Sequence, residues 1–201
     1  MTNLAPTEFP VHPLIQNRWS PRAFSGKEIA PADLASLFEA ARWAPSSNNE
    51  QPWVFIVARR SDQEEFDKAL QPLVEFNANW AKHAAALGFA VSELAFKKTG
   101  SPNRNAQYDT GAAMSQLSIE AIARGIFVHQ MAGFDPETAR EVFAIPSGWD
   151  AITAFAMGYP GDPDSLPQPF KDRERAPRVR KPLSEFVMSG SWGHTADFVV
   201  K

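Results

Sequence analysis

The chain has no cysteine, which removes disulfides, thiolate catalysis and zinc-thiolate sites from consideration. No apolar run approaches the length that crosses a bilayer, and Met1 to Pro13 has no basic stretch followed by an apolar one. The expectation is therefore a cytoplasmic protein with no membrane partner. An excess of basic charge is missing too. The formal net charge is -3 and the pI is about 5.8, which argues against nucleic acid as a partner. There is no GxGxxG fingerprint, no P-loop and no GxSxG elbow. The four histidines (His12, His83, His129, His194) are scattered without metal spacing, so each reads as surface or core and no metal is expected. Asp109 and Glu120 fall on a helical stretch with nothing to pair them into an acid/base couple. Chemistry, if present, would have to be carried by a bound cofactor.

What is present suits one compact α+β domain. The 201 residues are 44% hydrophobic and 21% charged, and neither an internal repeat nor a linker divides them. Fifteen Phe and six Trp are more aromatic surface than one core needs, so part of it should bury against a partner subunit or a planar ligand. Arginine is concentrated in two places, around Arg18, Arg22 and Lys27 and from Arg173 to Lys181.

Periodicity predicts a short helix over Val11–Trp19 and a clearer one from Pro31, with Leu34, Leu37, Phe38 and Ala41 on one side. Trp53–Ala58 is a continuous apolar run and reads as a buried strand. Ser61 followed by Glu64 has the spacing of a capping box for a helix carrying Phe66 and Leu70. Residues 71–107 are ambiguous. Trp80–Lys98 is alanine-rich and looks helical, although part of it fits a strand. Asp109 opens a central helix that Gly125 closes, Ile126–Val128 suggests a strand, Asp135-Pro136 starts another helix and Ala151–Gly158 a last core strand. Four prolines between Pro160 and Pro169 then impose an irregular extended segment. Residues 1–10 are expected to be a flexible N-terminus. The patchily apolar 182–201 comes after the domain should be complete, so it should dock on another subunit.

Three segments could carry binding chemistry. In Arg18-Trp19-Ser20-Pro21-Arg22-Ala23-Phe24, two guanidinium groups flank a hydroxyl, a combination that can grip a phosphate and an adjacent polyol. Alone, it reads better as a polar helix-to-loop junction. Ala44-Pro45-Ser46-Ser47-Asn48-Asn49-Glu50-Gln51-Pro52-Trp53 joins a stiff, amide-rich turn to a strand, a platform for the edge of a heterocycle or simply a helix end and loop. Arg178-Val179-Arg180-Lys181-Pro182-Leu183 alternates basic residues in an extended stretch, so Arg178 and Arg180 should face one way; a solvated basic tail is the commoner form.

In this order the three segments resemble the nitroreductase family of FMN enzymes, as do the Asp109 helix and Gly133-Phe134-Asp135-Pro136. The resemblance extends from Arg18 to Val187 and implies the nitroreductase-like fold: a small mixed or antiparallel sheet flanked by helices, with a C-terminal arm exchanged between the subunits of a homodimer. It implies that Arg18, Trp19, Ser20 and Arg22, with Arg180 and Arg178, hold the phosphate and ribityl chain of FMN. Pro45, Ser46, Ser47 and Asn49 would reach the flavin from the other subunit. Gln130, Met131, Ala132 and Gly133 would lie beside flavin N5, with backbone at Ala132 and Gly133 supporting it and no side chain catalytic. Many members carry a proline and a glutamate where this chain has Gln130 and Ala132. The implied activity is a ping-pong transfer of hydride from NADH or NADPH to a nitroaromatic, quinone or activated alkene. Two alternatives are an FMN-binding protein with a dedicated role (flavin reservoir or redox sensor) and an interaction module without cofactor.

Overall fold

A computed structural model describes residues 3–200. Met1, Thr2 and Lys201 lie outside the described residues, so the expectations for the two termini extend beyond what is seen. Four strands, β1 (Trp53–Arg59), β2 (Ala86–Glu93), β3 (Phe127–Met131) and β4 (Trp149–Gly158), form one antiparallel sheet in the order β1-β2-β4-β3. The helices are α1 (Pro13–Asn17), α2 (Pro31–Arg42), α3 (Gln63–Leu70), α4 (Glu75–Ala81), α5 (Ala106–Ala123), α6 (Pro136–Val142) and α7 (Phe170–Arg175). None is long and apolar enough to cross a membrane.

The period-two alternation of β2 builds two cores. Leu87, Phe89 and Val91 face a cluster around Trp80 and Phe66. Ala86 and Ala90 face a second cluster made by Leu37 of α2, Met114 and Leu117 of α5, and Phe155 and Met157 of β4. The second face of β2 is small for a reason. A Cβ on Gly88 would lie 2.4 Å from the Ile56 carbonyl oxygen and 2.5 Å from the Phe155 ring, so the large ring of β4 occupies the space that β2 leaves open.

The expected helix starting at Pro31 is present, with Leu34, Leu37 and Ala41 buried. The central helix starts three residues before Asp109 and is closed by Gly125 at φ +68°. Its end is sealed when the Ile126 amide donates to Ala121 O (2.9 Å).

Several local expectations need correction. The Trp53–Ala58 run is an edge strand with Val54 and Val57 exposed, since only β2 pairs with it. The cap of α3 is Asp62, whose carboxylate accepts from the Glu65 amide (3.3 Å), so the Ser61–Glu64 capping box does not form. The alanine-rich 80–98 stretch ends one helix at Ala81 and then becomes a central strand, because the small residues fit between two helical layers. Helix α7 was not anticipated behind four prolines.

The N-terminal segment is tied to α1 by the Ala5 amide donating to Gln16 O (2.9 Å). The late segment leaves Phe186, Trp192 and Phe198 exposed, Trp192 at 95%.

Candidate functional site

The opening basic motif follows directly from α1, which ends when Arg18 turns extended. Three long-range ties hold it there. Arg178 donates from Nη1 to the carbonyls of Asn3 (2.6 Å) and Gln16 (3.1 Å), and from Nη2 to that of Arg18 (2.7 Å). The amides of Arg22 (2.9 and 3.1 Å) and Ala23 (3.1 Å) donate to the carboxylate of Glu174 on α7, which is only 5% exposed. The His129 ring lies with Nδ1 2.9 Å from Pro21 O; a carbonyl only accepts, so Nδ1 carries the proton. Helix α7, β3 and the Arg178 segment thus converge on residues 18–23.

These ties border an open cavity of about 400 Å³ walled by Arg18, Ser20, Arg22, Arg173, Arg178 and Arg180, with Glu174 also on its wall. Burial lowers the Arg18, Arg22 and Arg178 pKa values from the ordinary arginine value. Repulsion adds to it between Arg18 and Arg180, and between Arg178 and both of them; at Arg22, Glu174 acts the other way and Arg173 adds to the lowering. Arg22 Nε is buried with no hydrogen-bond partner. An unmade bond to a charged group costs at least ~1–3 kcal/mol, and Glu174 is already engaged with main-chain amides. A dianionic phosphate supplies what the cavity lacks: acceptors for the free guanidinium donors and charge to offset their repulsion. Of the expected grip, Arg18, Ser20, Arg22 and Arg180 line this space and Trp19 forms part of its wall. Arg178 spends much of its guanidinium on carbonyls and acts mainly as a strap.

Trp80 links this cavity to β3. Arg22 lies 5.9 Å over its ring, His129 packs at 4.5 Å and Phe24 at 6.2 Å. Burial, opposed by the Pro21 hydrogen bond and reinforced by Arg22 and Arg18, pulls the His129 pKa down from 6.5 to about 4. His129 is consequently neutral at physiological pH. Beyond it Gln130 and Ala132 are exposed and Met131 is buried. Gly133 O accepts from Asn77 Nδ2 (2.9 Å) and the Val74 amide (3.1 Å), and a Cβ on Gly133 would stand 2.5 Å from Asn77 Nδ2. Helix α4 therefore pins this stretch against the end of β3.

The Ala44–Trp53 loop is rigid for its length. Asn48, Asn49 and Gln51 all adopt positive φ, at 52°, 56° and 50°; asparagine tolerates that region and glutamine does so at some cost. The Ser46 hydroxyl accepts from the Gln51 amide (3.0 Å), and Asp109 Oδ2 accepts from the Ser47 amide (2.9 Å). Pro45 and Asn49 are exposed. Asn49, Glu50, Gln51, Trp53, Lys97 and Lys98 line a cavity of about 440 Å³ that includes none of the arginines, and the arginine cavity includes nothing from residues 44–53. The two cavities share no lining residue.

Sequence reasoning missed the parts of Glu174, Asp109 and Asn77. A lone acid inside Arg173-Glu174-Arg175 was the available signal for the first. The sequence marks Asp109 only as a helix opener, and nothing in it marks Asn77.

The nitroreductase family model matches residues 15–159. An uncharacterized 15.4 kDa protein of Mycolicibacterium smegmatis is 34% identical over 149 residues, which span 70% of this chain and 97% of that protein. The major NAD(P)H-flavin oxidoreductase of Aliivibrio fischeri is 24% identical over 191 residues, spanning 74% of this chain and 88% of that one. A solved structure of an oxidoreductase containing FMN superposes with a TM-score of 0.90 at 33% identity, covering 97% of this chain and 98% of its own.

Proposed function

Because this chain belongs to the nitroreductase family, we propose that it is an FMN-dependent oxidoreductase, one domain per chain, working as a homodimer on a small electrophilic acceptor. The observation that carries this reading is the arginine cavity: clustered, mutually repelling guanidinium groups, one with a buried unpartnered Nε. Bound FMN would supply the redox chemistry, taking hydride from NADH or NADPH and returning it to a nitroaromatic, quinone or activated alkene in a ping-pong cycle.

The protein's share is binding and orientation. Arg18, Ser20, Arg22 and Arg180 hold the phosphate, with Trp19 beside them. Arg178 and Glu174 fix the main chain on which those side chains stand. Gln130, Met131, Ala132 and Gly133 offer backbone along the flavin edge, held in place by Asn77. Pro45, Ser46, Ser47 and Asn49 come from the partner, presented by the Asp109-anchored loop. Exposed apolar residues on β1 and in the late segment, Val54, Val57, Trp192 and Phe198, are covered by that partner. His129 is not the acid in this scheme, since its one ring proton is committed to Pro21 O. No side chain is assigned as general acid or base, so protons come from water or substrate.

The test is the visible spectrum of the purified protein, followed by addition of NADH or NADPH without oxygen. Flavin bands that bleach with either donor support the proposal. Bands that persist with both make the protein a flavin binder of the reservoir or sensor kind. A colourless protein that takes up no added FMN refutes the reading.

A further inference from the structure

A third cavity, of about 670 Å³, opens between the N-terminal segment and the stretch that follows Pro177, a size within the ~300–1,000 Å³ of small-ligand sites. The first contributes Pro6, Phe9 and Val11, the second Val179, Leu183 and Phe186. Both segments are held. The Ala5 amide donates to Gln16 O (2.9 Å), the Gln16 side-chain amide donates back to Ala5 O (3.3 Å), and Arg178 Nη1 donates to Asn3 O (2.6 Å). In the later segment the turn at Leu183–Glu185 is closed by the Val187 amide donating to Leu183 O (2.9 Å). Val11, Val179 and Phe186 are exposed, and apolar side chains gathered in one concavity mark a binding surface, unlike those scattered singly.

The charges on the lining are unequal: Arg178, Arg180 and Lys181 stand against one carboxylate, Glu8. Arg178 spends its donors on main-chain carbonyls. Arg180 gives one of its five donors to Val179 O (2.8 Å). Lys181 has Glu185 at 3.9 Å, the outer limit of an ion pair, and its side chain is largely in solvent. Both keep charge for a ligand. Apart from these groups and the Thr7 hydroxyl, the lining side chains are apolar, so a ligand at home there has one anionic end and a body without hydrogen-bonding groups. We propose that this pocket binds an aliphatic carboxylate of medium chain length. The chain lies along Val11, Leu183 and Phe186, and the carboxylate takes charge-assisted hydrogen bonds from Arg180 and Lys181. Arg180 also stands on the wall of the arginine cavity, so Lys181 is the head-group contact belonging to this pocket alone.

The experiment titrates the protein as purified with decanoate, decan-1-ol and butanoate by calorimetry, below the concentration at which decanoate forms micelles. It reads carboxylate binding directly, so its outcome is separate from that of the flavin reading. Decanoate is expected to saturate at one site per chain with a Kd of about 100 µM or tighter. Decan-1-ol, which has the chain without the charge, should bind about tenfold more weakly or worse, and butanoate, which has the charge without the chain, should not bind measurably. Lys181→Gln should weaken decanoate about fivefold and leave decan-1-ol within about twofold; Phe186→Ser should weaken both. Absent or unsaturable decanoate binding overturns the proposal, as do equal affinities for decanoate and decan-1-ol, or a decanoate affinity that neither variant changes. Decanoate that binds only after the subunits are separated by dilution overturns it too, by giving the pocket to a second copy of the chain.

Discussion

Replacing Glu174 with alanine removes the carboxylate that ties α7 to the opening motif, 152 positions earlier for Arg22. Two main-chain donors lose their acceptor, in a place where the carboxylate is 5% exposed. Hydrogen bonds to a charged group contribute about 1.5–3 kcal/mol each. Water entering from the adjoining cavities recovers part of that, so the expected loss is about 3 kcal/mol. At ~2–4 °C per kcal/mol for a chain of this length, the melting temperature should fall by roughly 6–12 °C. Glu174→Gln keeps the shape and one acceptor oxygen but turns an N–H toward the Arg22 amide; it should lose about half as much. Both variants also remove the only carboxylate on the wall of the arginine cavity, so inorganic phosphate should stabilise them more than it stabilises the parent. Thermal and urea unfolding with and without phosphate measure all three quantities. A loss below about 1 kcal/mol for Glu174→Ala, or an equal response to phosphate, refutes the assignment of Glu174 as the strap of a cationic site.

Arg22→Met should weaken FMN about a hundredfold while leaving riboflavin, which lacks the phosphate, nearly unchanged; equal losses for both flavins would contradict the phosphate role. His129 has a folded pKa near about 4 against an ordinary 6.5, so the unfolded chain binds the extra proton first. The stability this confers is full above about pH 6.5 and is lost as pH falls toward 4, by about 3 kcal/mol in all. Urea titrations from pH 7 to 4 should show a shallower acid loss for His129→Gln than for the parent. With FMN retained, replacing His129 or Asp109 should lower kcat by less than a hundredfold (~2.7 kcal/mol), since neither is assigned a proton-transfer role; steady-state rates decide it. Gly88→Ala places a Cβ 2.4 Å from a carbonyl oxygen and should destabilise by about 3 kcal/mol or prevent folding, measured by circular dichroism.

The elements readable in advance were those whose local chemistry is self-sufficient. Pro31, Gly125 and Asp135-Pro136 mark helix ends by dihedral preference and capping, and each marks one here. The failures are tertiary. An apolar run such as Trp53–Ala58 looks the same whether a strand sits mid-sheet or at an edge, since pairing partners are set by distant residues. Residues 80–98 leave helix and strand open by composition, and the strand within them exists because Phe155 and α5 require small neighbours there. At the site, arginines at 18, 22 and 180 were legible as a charge pattern matched to a family order. Glu174 and Asp109 were not, because each acts on a backbone amide, and an amide is present at nearly every position of any sequence.

Under the proposed function, cofactor and dimer are one question for this chain. The arginine cavity and the Asn49 cavity are both rigidly built, yet no residue lines both. Each has its own anchors: Glu174, Arg178 and His129 on one side, Asp109 and Ser46 on the other. Under the proposed function, a flavin held by both lies between two protomers. Dilution below the dimer dissociation constant should then release FMN in step with subunit separation, and FMN should raise the apparent dimer affinity by the same coupling free energy. Sedimentation across a dilution series, read at the flavin and protein bands together, shows one transition under that scheme. Flavin that remains on a separated monomer would place the second set of contacts within one chain and refute the interfacial reading.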